Sequence, residues 1–176
     1  MERNTQQLNA QRHILAIARW EDNQEEWLEG NYLRLISKSR RLQQRVGEGG
    51  TLWIVVSRPK SDGGRLYSLS FRLNNCRMET YAHETQYGRH AVVGDPTQST
   101  VFAPNDATLL LLSLRFDPYR PIKNIRKIGY SIRSPRHLNK LDIQLLEKYS
   151  EVPDRWRVFI SYQSKPVRQK FTLFYY

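Results

Sequence analysis

The 176-residue chain has one cysteine, Cys76, so it can form no internal disulfide and no cysteine-rich zinc site. Its first residues are polar and lack the apolar core of a signal peptide. No apolar run is long enough to cross a bilayer. The sequence therefore predicts a cytoplasmic protein that does not enter a membrane.

Patterns typical of catalytic or cofactor sites are also lacking. The glycine-rich stretch 47–50 precedes a predicted strand, whereas a phosphate-binding loop opens a helix. A metal-dependent nuclease needs clustered carboxylates, and Asp142 and Glu147 are explained as surface charges of a predicted helix. The histidines have no metal-ligand spacing; they are His13, His83, His90 and His137. The sequence thus predicts no cofactor, no metal site and no catalytic residue.

Basic residues are in large excess. The chain has 28 Lys and Arg against 17 Asp and Glu, which gives a formal net charge of +11. Acidic residues concentrate between positions 21 and 29, and none occurs at 118–141 or from 155 to the C-terminus. Such an asymmetry predicts a cationic face that meets a polyanion, with DNA or RNA as the first expectation.

Hydrophobic periodicity and turn signals predict a mixed α+β fold. Residues 51–57 and 65–73 are expected to form an antiparallel hairpin with one wet face. Asn31 and Asn139 are suitable caps for two main helices, at 31–46 and 140–149. The other predicted elements are a first strand at 13–20, a loop or short turn at 21–30, short strands at 76–81, 89–93 and 100–102, a short helix at 108–113, irregular chain at 118–137 and a last strand at 155–162.

These lengths favour a small, curved antiparallel sheet or open β-barrel with two main flanking helices. One domain is expected over residues 12–162, after a flexible N-terminus at 1–11. The basic and aromatic tail at 163–176 is expected to contact the domain or a protein partner. The predicted core includes Leu35, Leu42, Ile54, Val56, Leu69, Phe71, Leu141 and Leu145.

Two groups of cations are candidates for phosphate contacts. In the predicted helix, positions 34, 38, 41 and 45 recur at helical spacing and form one cationic stripe. Further cations lie in the acid-free segment 118–141. The predicted phosphate-binding residues are Arg34, Lys38, Arg41, Arg45, Arg126, Lys127 and Arg133. A solvated basic surface is the alternative explanation.

Aromatic residues are candidates for stacking on an exposed base. Trp20 ends the first predicted strand, and Trp53 lies in the first strand of the hairpin. Ser57 and Arg58, at the end of that strand, are placed to hydrogen-bond a base edge. These four residues form the predicted base pocket, although a tryptophan within an apolar strand is also typical of a core.

The order of the elements resembles that of a known family. An opening strand that ends in Trp20 precedes a helix and then the strand Gly-Gly-Thr-Leu-Trp-Ile-Val-Val-Ser at 49–57. Over residues 14–101 this layout resembles the EVE and YTH-type branch of the PUA-like folds, small curved barrels that hold a base in an aromatic-lined cage. The resemblance implies binding of a modified or flipped base, with Trp20, Trp53 and Ser57 in the cage.

A second resemblance is short. Residues 156–162, Trp-Arg-Val-Phe-Ile-Ser-Tyr, resemble the opening strand of a TIR domain. Only 14 residues follow Tyr162, whereas a TIR domain with its catalytic glutamate needs many more. Either the preceding residues are a sensor module from a bacterial defence protein, or a basic strand matches by chance.

Taken together, these observations favour a nucleic-acid-binding sensor module that is not an enzyme. A nucleic-acid-processing enzyme such as a nuclease is one alternative, and an adaptor domain for an acidic protein partner is the other. Salt-sensitive binding without turnover would distinguish the module from a nuclease.

Overall fold

The computed structural model of the chain describes residues 12–151, which form an α+β domain with two sheets and no closed barrel. The strands are β1 (His13–Arg19), β2 (Arg34–Ser37), β3 (Thr51–Pro59), β4 (Arg65–Leu73), β5 (Arg77–Thr85), β6 (Gly88–Val93), β7 (Thr100–Val101) and β8 (Arg136–His137). The helices are α1 (Trp20–Leu28), α2 (Arg41–Val46), α3 (Thr108–Ser113), α4 (Ile128–Ser131) and α5 (Lys140–Ser150), with a 3-10 turn at Ile125–Lys127 before α4.

The larger sheet has five strands in the order β7-β4-β3-β1-β8. The predicted β3–β4 hairpin is confirmed, and its strands are antiparallel. In contrast, β1 pairs with β3 in parallel, from His13 opposite Thr51 to Arg19 opposite Ser57, so the sheet is not purely antiparallel as expected. The parallel pairing is possible because α1, β2 and α2 form a long crossover between the two strands. The smaller sheet has the order β2-β6-β5.

Both faces of the larger sheet are buried, so the predicted wet face of the hairpin is wrong. Ile54 pairs with Phe71 but Val55 pairs with Leu69, which leaves Ser70 as an extra residue in β4. This bulge turns Leu69 toward one face and Phe71 toward the other, and each lies in a different core cluster.

The two core clusters lie on opposite faces of the larger sheet. One cluster packs β1, β3 and β4 against α1, α2, β2 and β6. The other packs the same three strands against α3, α4 and α5. The six predicted core residues from Leu35 to Phe71 are buried, which confirms that part of the prediction.

The predicted burial of Leu141 and Leu145 is wrong, because their exposed fractions are 54% and 38%. Helix α5 packs instead through Asp142 and Leu146, which are both fully buried. The predicted cap is confirmed: Asn139 accepts a hydrogen bond from the Asp142 N–H, and Asp142 accepts one from the Asn139 N–H. The predicted short helix at 108–113 is confirmed as α3.

Two predictions for the segment after β1 are wrong. The residues expected to form a loop at 21–30 form α1, whose Trp27 packs on Phe71 with ring centroids 5.1 Å apart. The residues expected to form one helix at 31–46 form β2 and then α2. Strand β2 exists because β6 pairs with it, from Arg34 opposite Val93 to Ser37 opposite His90.

Several predictions fall outside residues 12–151: the flexible N-terminus, the last strand at 155–162, the segment that resembles a TIR strand and the tail at 163–176. Within the described range, no helix has the length and apolar character needed to cross a membrane.

Candidate nucleic-acid interface

A cleft of about 1010 Å³ opens beside the C-terminal half of β1. Helix α1, the end of β2, the tip of the β5–β6 hairpin and the segment from α4 to Pro135 form its walls. Pockets for small ligands commonly have volumes of about 300–1,000 Å³, so the cleft has room for a whole nucleotide.

The floor of the cleft contains an open strand edge. Thr51 N–H donates to the Arg12 carbonyl, and Leu138 N–H donates to the His13 carbonyl, so odd-numbered residues of β1 direct their peptide groups toward β8. The pairing with β8 includes only Ile14 and Leu15. The peptide group of Ile17, which lines the cleft, therefore faces a side of β1 where no described strand pairs with it.

A hydrogen-bonded group of polar side chains lies beside this edge. Ser57 is buried, and both its carbonyl and its hydroxyl lie 3.1 Å from Nη2 of Arg65. The same Nη2 pairs with the carboxylate of Glu21 on α1, at 2.9 and 3.0 Å. Arg65 therefore fixes the end of β3 to the start of α1 along one wall of the cleft.

Two tyrosines stand at the mouth of the cleft. Tyr130 on α4 is 80% exposed. Tyr87, at the hairpin tip, donates a 2.9 Å hydrogen bond to Glu25 of α1. Desolvation, and then the hydrogen bond to Glu25, raise the pKa of Tyr87, so its hydroxyl stays a neutral donor. The two rings offer flat apolar faces from different walls of the cleft.

Next to the cleft, cations gather around β8. We call Arg12, Arg45, Arg120, Arg136 and His137 the cationic cluster. Burial, and then the charges of Arg45 and Arg12, lower the pKa of His137, while Asp117 opposes this shift. Burial, and then the charges of Arg120 and Arg45, lower the pKa of Arg136. These shifts reflect the burial of the two side chains first, and the positive groups near them second.

Carbonyl groups rather than carboxylates position two guanidinium groups of the cluster, those of Arg45 and Arg136. Arg45 donates to the Pro135 carbonyl, and Arg136 donates to the carbonyls of Ser131 at 3.0 Å and Arg120 at 3.3 Å. Among residues 12–151 the ion pairs are Arg34–Glu26, Arg65–Glu21 and Arg77–Glu79. None of them neutralises a member of the cluster.

The predicted cationic stripe is not one surface, because its residues lie on different elements. Arg34 lies on β2 and is neutralised by Glu26. Lys38 lines the cleft after β2, whereas Arg41 and Arg45 lie on α2. Of the other predicted phosphate-binding residues, Arg133 lines the cleft, and Arg126 and Lys127 are exposed on the 3-10 turn.

Of the four residues of the predicted base pocket, Trp20, Ser57 and Arg58 are neighbours, whereas Trp53 is buried in the core. Ser57 lines the cleft. Trp20 and Arg58 do not line it, and the Arg58 guanidinium lies 3.9 Å over the Trp20 ring instead. Trp53 is a core residue with no exposed surface, and its Nε1–H donates to Nδ1 of His13 at 3.3 Å. The burial of Trp53 therefore corrects its predicted place in a base cage, and the role of Trp20 stays a prediction.

Three parts of this interface go beyond the residues singled out from the sequence. Arg120 and Arg136 belong to the cations of the acid-free segment 118–141, from which phosphate contacts were expected, but the pattern did not distinguish them from the other cations there. Tyr130 lies in the same segment and could have been considered with them. The role of the Ile17 peptide group depends on strand pairing, and no pattern in the residues indicates it.

No family model matches the chain, and no curated protein matches it significantly. In the part of the chain that the structure describes, no group of three or more His, Cys, Asp and Glu side chains could hold a metal ion. The functional assignment therefore rests on the geometry of the cleft and the cationic cluster.

Proposed function

We propose that this protein is a nucleic-acid-binding module that accepts one unpaired or flipped nucleotide in the cleft. The observation that carries the proposal is the adjacency of two features: a nucleotide-sized cleft with an open strand edge, and arginines that form no ion pair with a carboxylate of residues 12–151. Base recognition and phosphate binding require these two kinds of surface side by side.

The cleft provides the chemistry needed to hold a base. The Ile17 peptide group offers one donor and one acceptor, a pair that can read the edge of a base. Asp22 of α1 adds a carboxylate, which accepts hydrogen bonds from exocyclic amino groups. Tyr130 and Tyr87 offer ring faces for stacking.

Cations at the mouth of the cleft suit the phosphates that accompany the base. Lys38 and Arg133 are exposed, and both line the cleft. Neither takes part in an ion pair of the described range. Their charges are therefore free to neutralise phosphate, and binding is expected to weaken as salt is raised.

The test is fluorescence anisotropy with labelled single-stranded DNA, single-stranded RNA and duplexes that carry or lack one mismatch. Tyr130→Ala is expected to lower the affinity about tenfold or more, because stacking on one aromatic ring contributes about 1–3 kcal/mol. Tyr119→Ala is the matched control, since Tyr119 is 69% exposed and does not line the cleft. Equal affinities of both variants and the parent would contradict the proposal.

The open strand edge also favours a second candidate, an extended acidic peptide that adds to β1 at Ile17. A poly-glutamate peptide that binds more tightly than any oligonucleotide, and is displaced by none, would support this adaptor function. Cleavage of the labelled probes in Mg²⁺ or Mn²⁺ would instead show a nuclease.

A further inference from the structure

We propose that the cationic cluster is a second phosphate subsite, so that a bound strand runs from the cleft across Pro135 to β8. The inference rests on the proposed function, because the cleft is taken to hold the base. Pro135 lines the cleft, and its carbonyl positions Arg45 of the cluster. Arg136 and His137 follow Pro135 directly along the chain. The two surfaces are therefore continuous.

The contacts of Arg136 fit an anion-binding role of the cluster better than the role of a freely solvated basic surface. Arg136 donates to two carbonyls, and its guanidinium lies 4.4 Å over the ring of Phe116. These contacts hold the cation in place without reducing its charge. A planar guanidinium held in this way can present its remaining N–H groups to a phosphate.

The support beneath Arg136 is itself fixed. Phe116 is buried and has a positive φ of 62°, a strained conformation for a bulky residue. Its N–H donates to the Asp142 carboxylate at 2.8 Å, as does the N–H of Arg115. The buried carboxylate thus holds the backbone that carries the Phe116 ring. This arrangement makes the subsite pre-organised, which reduces the entropic cost of binding.

Repulsion among the positive charges of the cluster favours the binding of an anion between them. Arg45, Arg120 and Arg136 share one region, and Asp117 is the nearby carboxylate that acts on His137. A phosphate placed among these groups would relieve the repulsion. Arg12 contributes from the residue just before β1, where its Nη1 lies close to Gly47.

His137 provides a second readout. In the free protein, burial and then the charges of Arg45 and Arg12 lower the pKa of His137 below the ordinary value of 6.5, while the Asp117 carboxylate opposes the shift. A phosphate in the cluster raises that pKa by adding negative charge. Binding then takes up a proton, so affinity rises as the pH is lowered below neutrality.

The test compares a mononucleotide with a 12-nucleotide single strand. The Arg45→Gln and Arg120→Gln double variant is expected to bind the mononucleotide like the parent, within about twofold. Its affinity for the 12-mer should fall about tenfold, and the log–log salt slope should flatten by roughly 0.7 for each phosphate that the variant no longer neutralises. Arg41→Gln with Lys123→Gln is the charge-matched control, and both of these residues are exposed.

A second measurement follows the affinity for the 12-mer from pH 7.5 to 5.5. The parent should bind more tightly as the pH falls, and His137→Gln should reduce this gain. If the double variant binds the 12-mer with the parent's affinity and salt slope, the proposed phosphate subsite is wrong. The proposed nucleotide site in the cleft is still supported in that case, provided that the parent binds the mononucleotide and Tyr130→Ala weakens this binding. If neither probe binds the parent, the proposed function and the subsite both fail.

Discussion

At the scale of single residues, Trp53 and Cys76 show how burial decides a role. The Trp53 ring lies nearly parallel to that of Phe102, with centroids 6.3 Å apart, and its only polar side-chain atom is bound to His13. Cys76 is also buried, its thiol donates to the Leu73 carbonyl at 3.3 Å, and burial raises the pKa of Cys76 to about 12. Both side chains therefore serve the core, and a buried thiol with a raised pKa carries little of the reactive thiolate at neutral pH.

Trp53→Ala is expected to lower the free energy of unfolding by about 3–5 kcal/mol, because it removes a fully buried indole from a packed cluster. Urea denaturation followed by circular dichroism measures this change. Tyr130→Ala is the control and should stay within about 0.5 kcal/mol of the parent, since Tyr130 is exposed. If Trp53→Ala lost nucleic-acid affinity without losing stability, the core role would be wrong and Trp53 would be part of the base pocket.

At the scale of elements, α5 shows that an apolar stripe does not always mark the packed face. Leu141 and Leu145 suggested that face, yet Asp142 is turned inward together with Leu146. The Asp142 carboxylate accepts hydrogen bonds from the N–H groups of Arg115, Phe116 and Asn139. A buried charge is tolerated here because several donors satisfy it.

Asp142→Ala is expected to destabilise the protein by about 2–5 kcal/mol, because it leaves buried N–H groups without partners. Leu141→Ala should cost less than about 0.5 kcal/mol, since Leu141 is largely exposed. Thermal and urea denaturation of both variants measure the difference. Equal losses would mean that α5 packs through the leucine face after all.

At the scale of the whole molecule, two half-buried histidines link stability to pH. Burial is the largest cause that lowers the pKa of both His13 and His137 below 6.5. Nδ1 of His13 also accepts a hydrogen bond from Trp53, so protonation of that nitrogen would break the bond. As the pH falls below about 6.5, the unfolded chain binds protons before the folded protein does.

The free energy of unfolding is therefore expected to fall as the pH is lowered from 7.5 to 5.5, because protons bind the histidines of the unfolded chain more tightly than those of the folded protein. Urea titrations at several pH values measure this trend. His137→Gln should make the fall less steep, and His83→Gln, an exposed position on β5, is the matched control. A stability that rises over this range in the parent would contradict the assignment.

The sequence predicted those elements whose signals are local. The β3–β4 hairpin follows from alternation around a Gly-rich turn, and α5 follows from the capping residues Asn139 and Asp142. The α+β class follows from the order of such elements. The excess of cations and the acid-free segment 118–141 also pointed toward Arg133 at the cleft.

Only the tertiary structure decided the rest, because partners distant in the chain determined it. Residues 34–37 have the spacing of a helix but become β2, since β6 supplies backbone hydrogen bonds. The bulge at Ser70 assigns Leu69 and Phe71 to opposite faces. The cationic cluster unites Arg12, Arg45 and residues near β8, which stand far apart in sequence and meet because β8 pairs with β1.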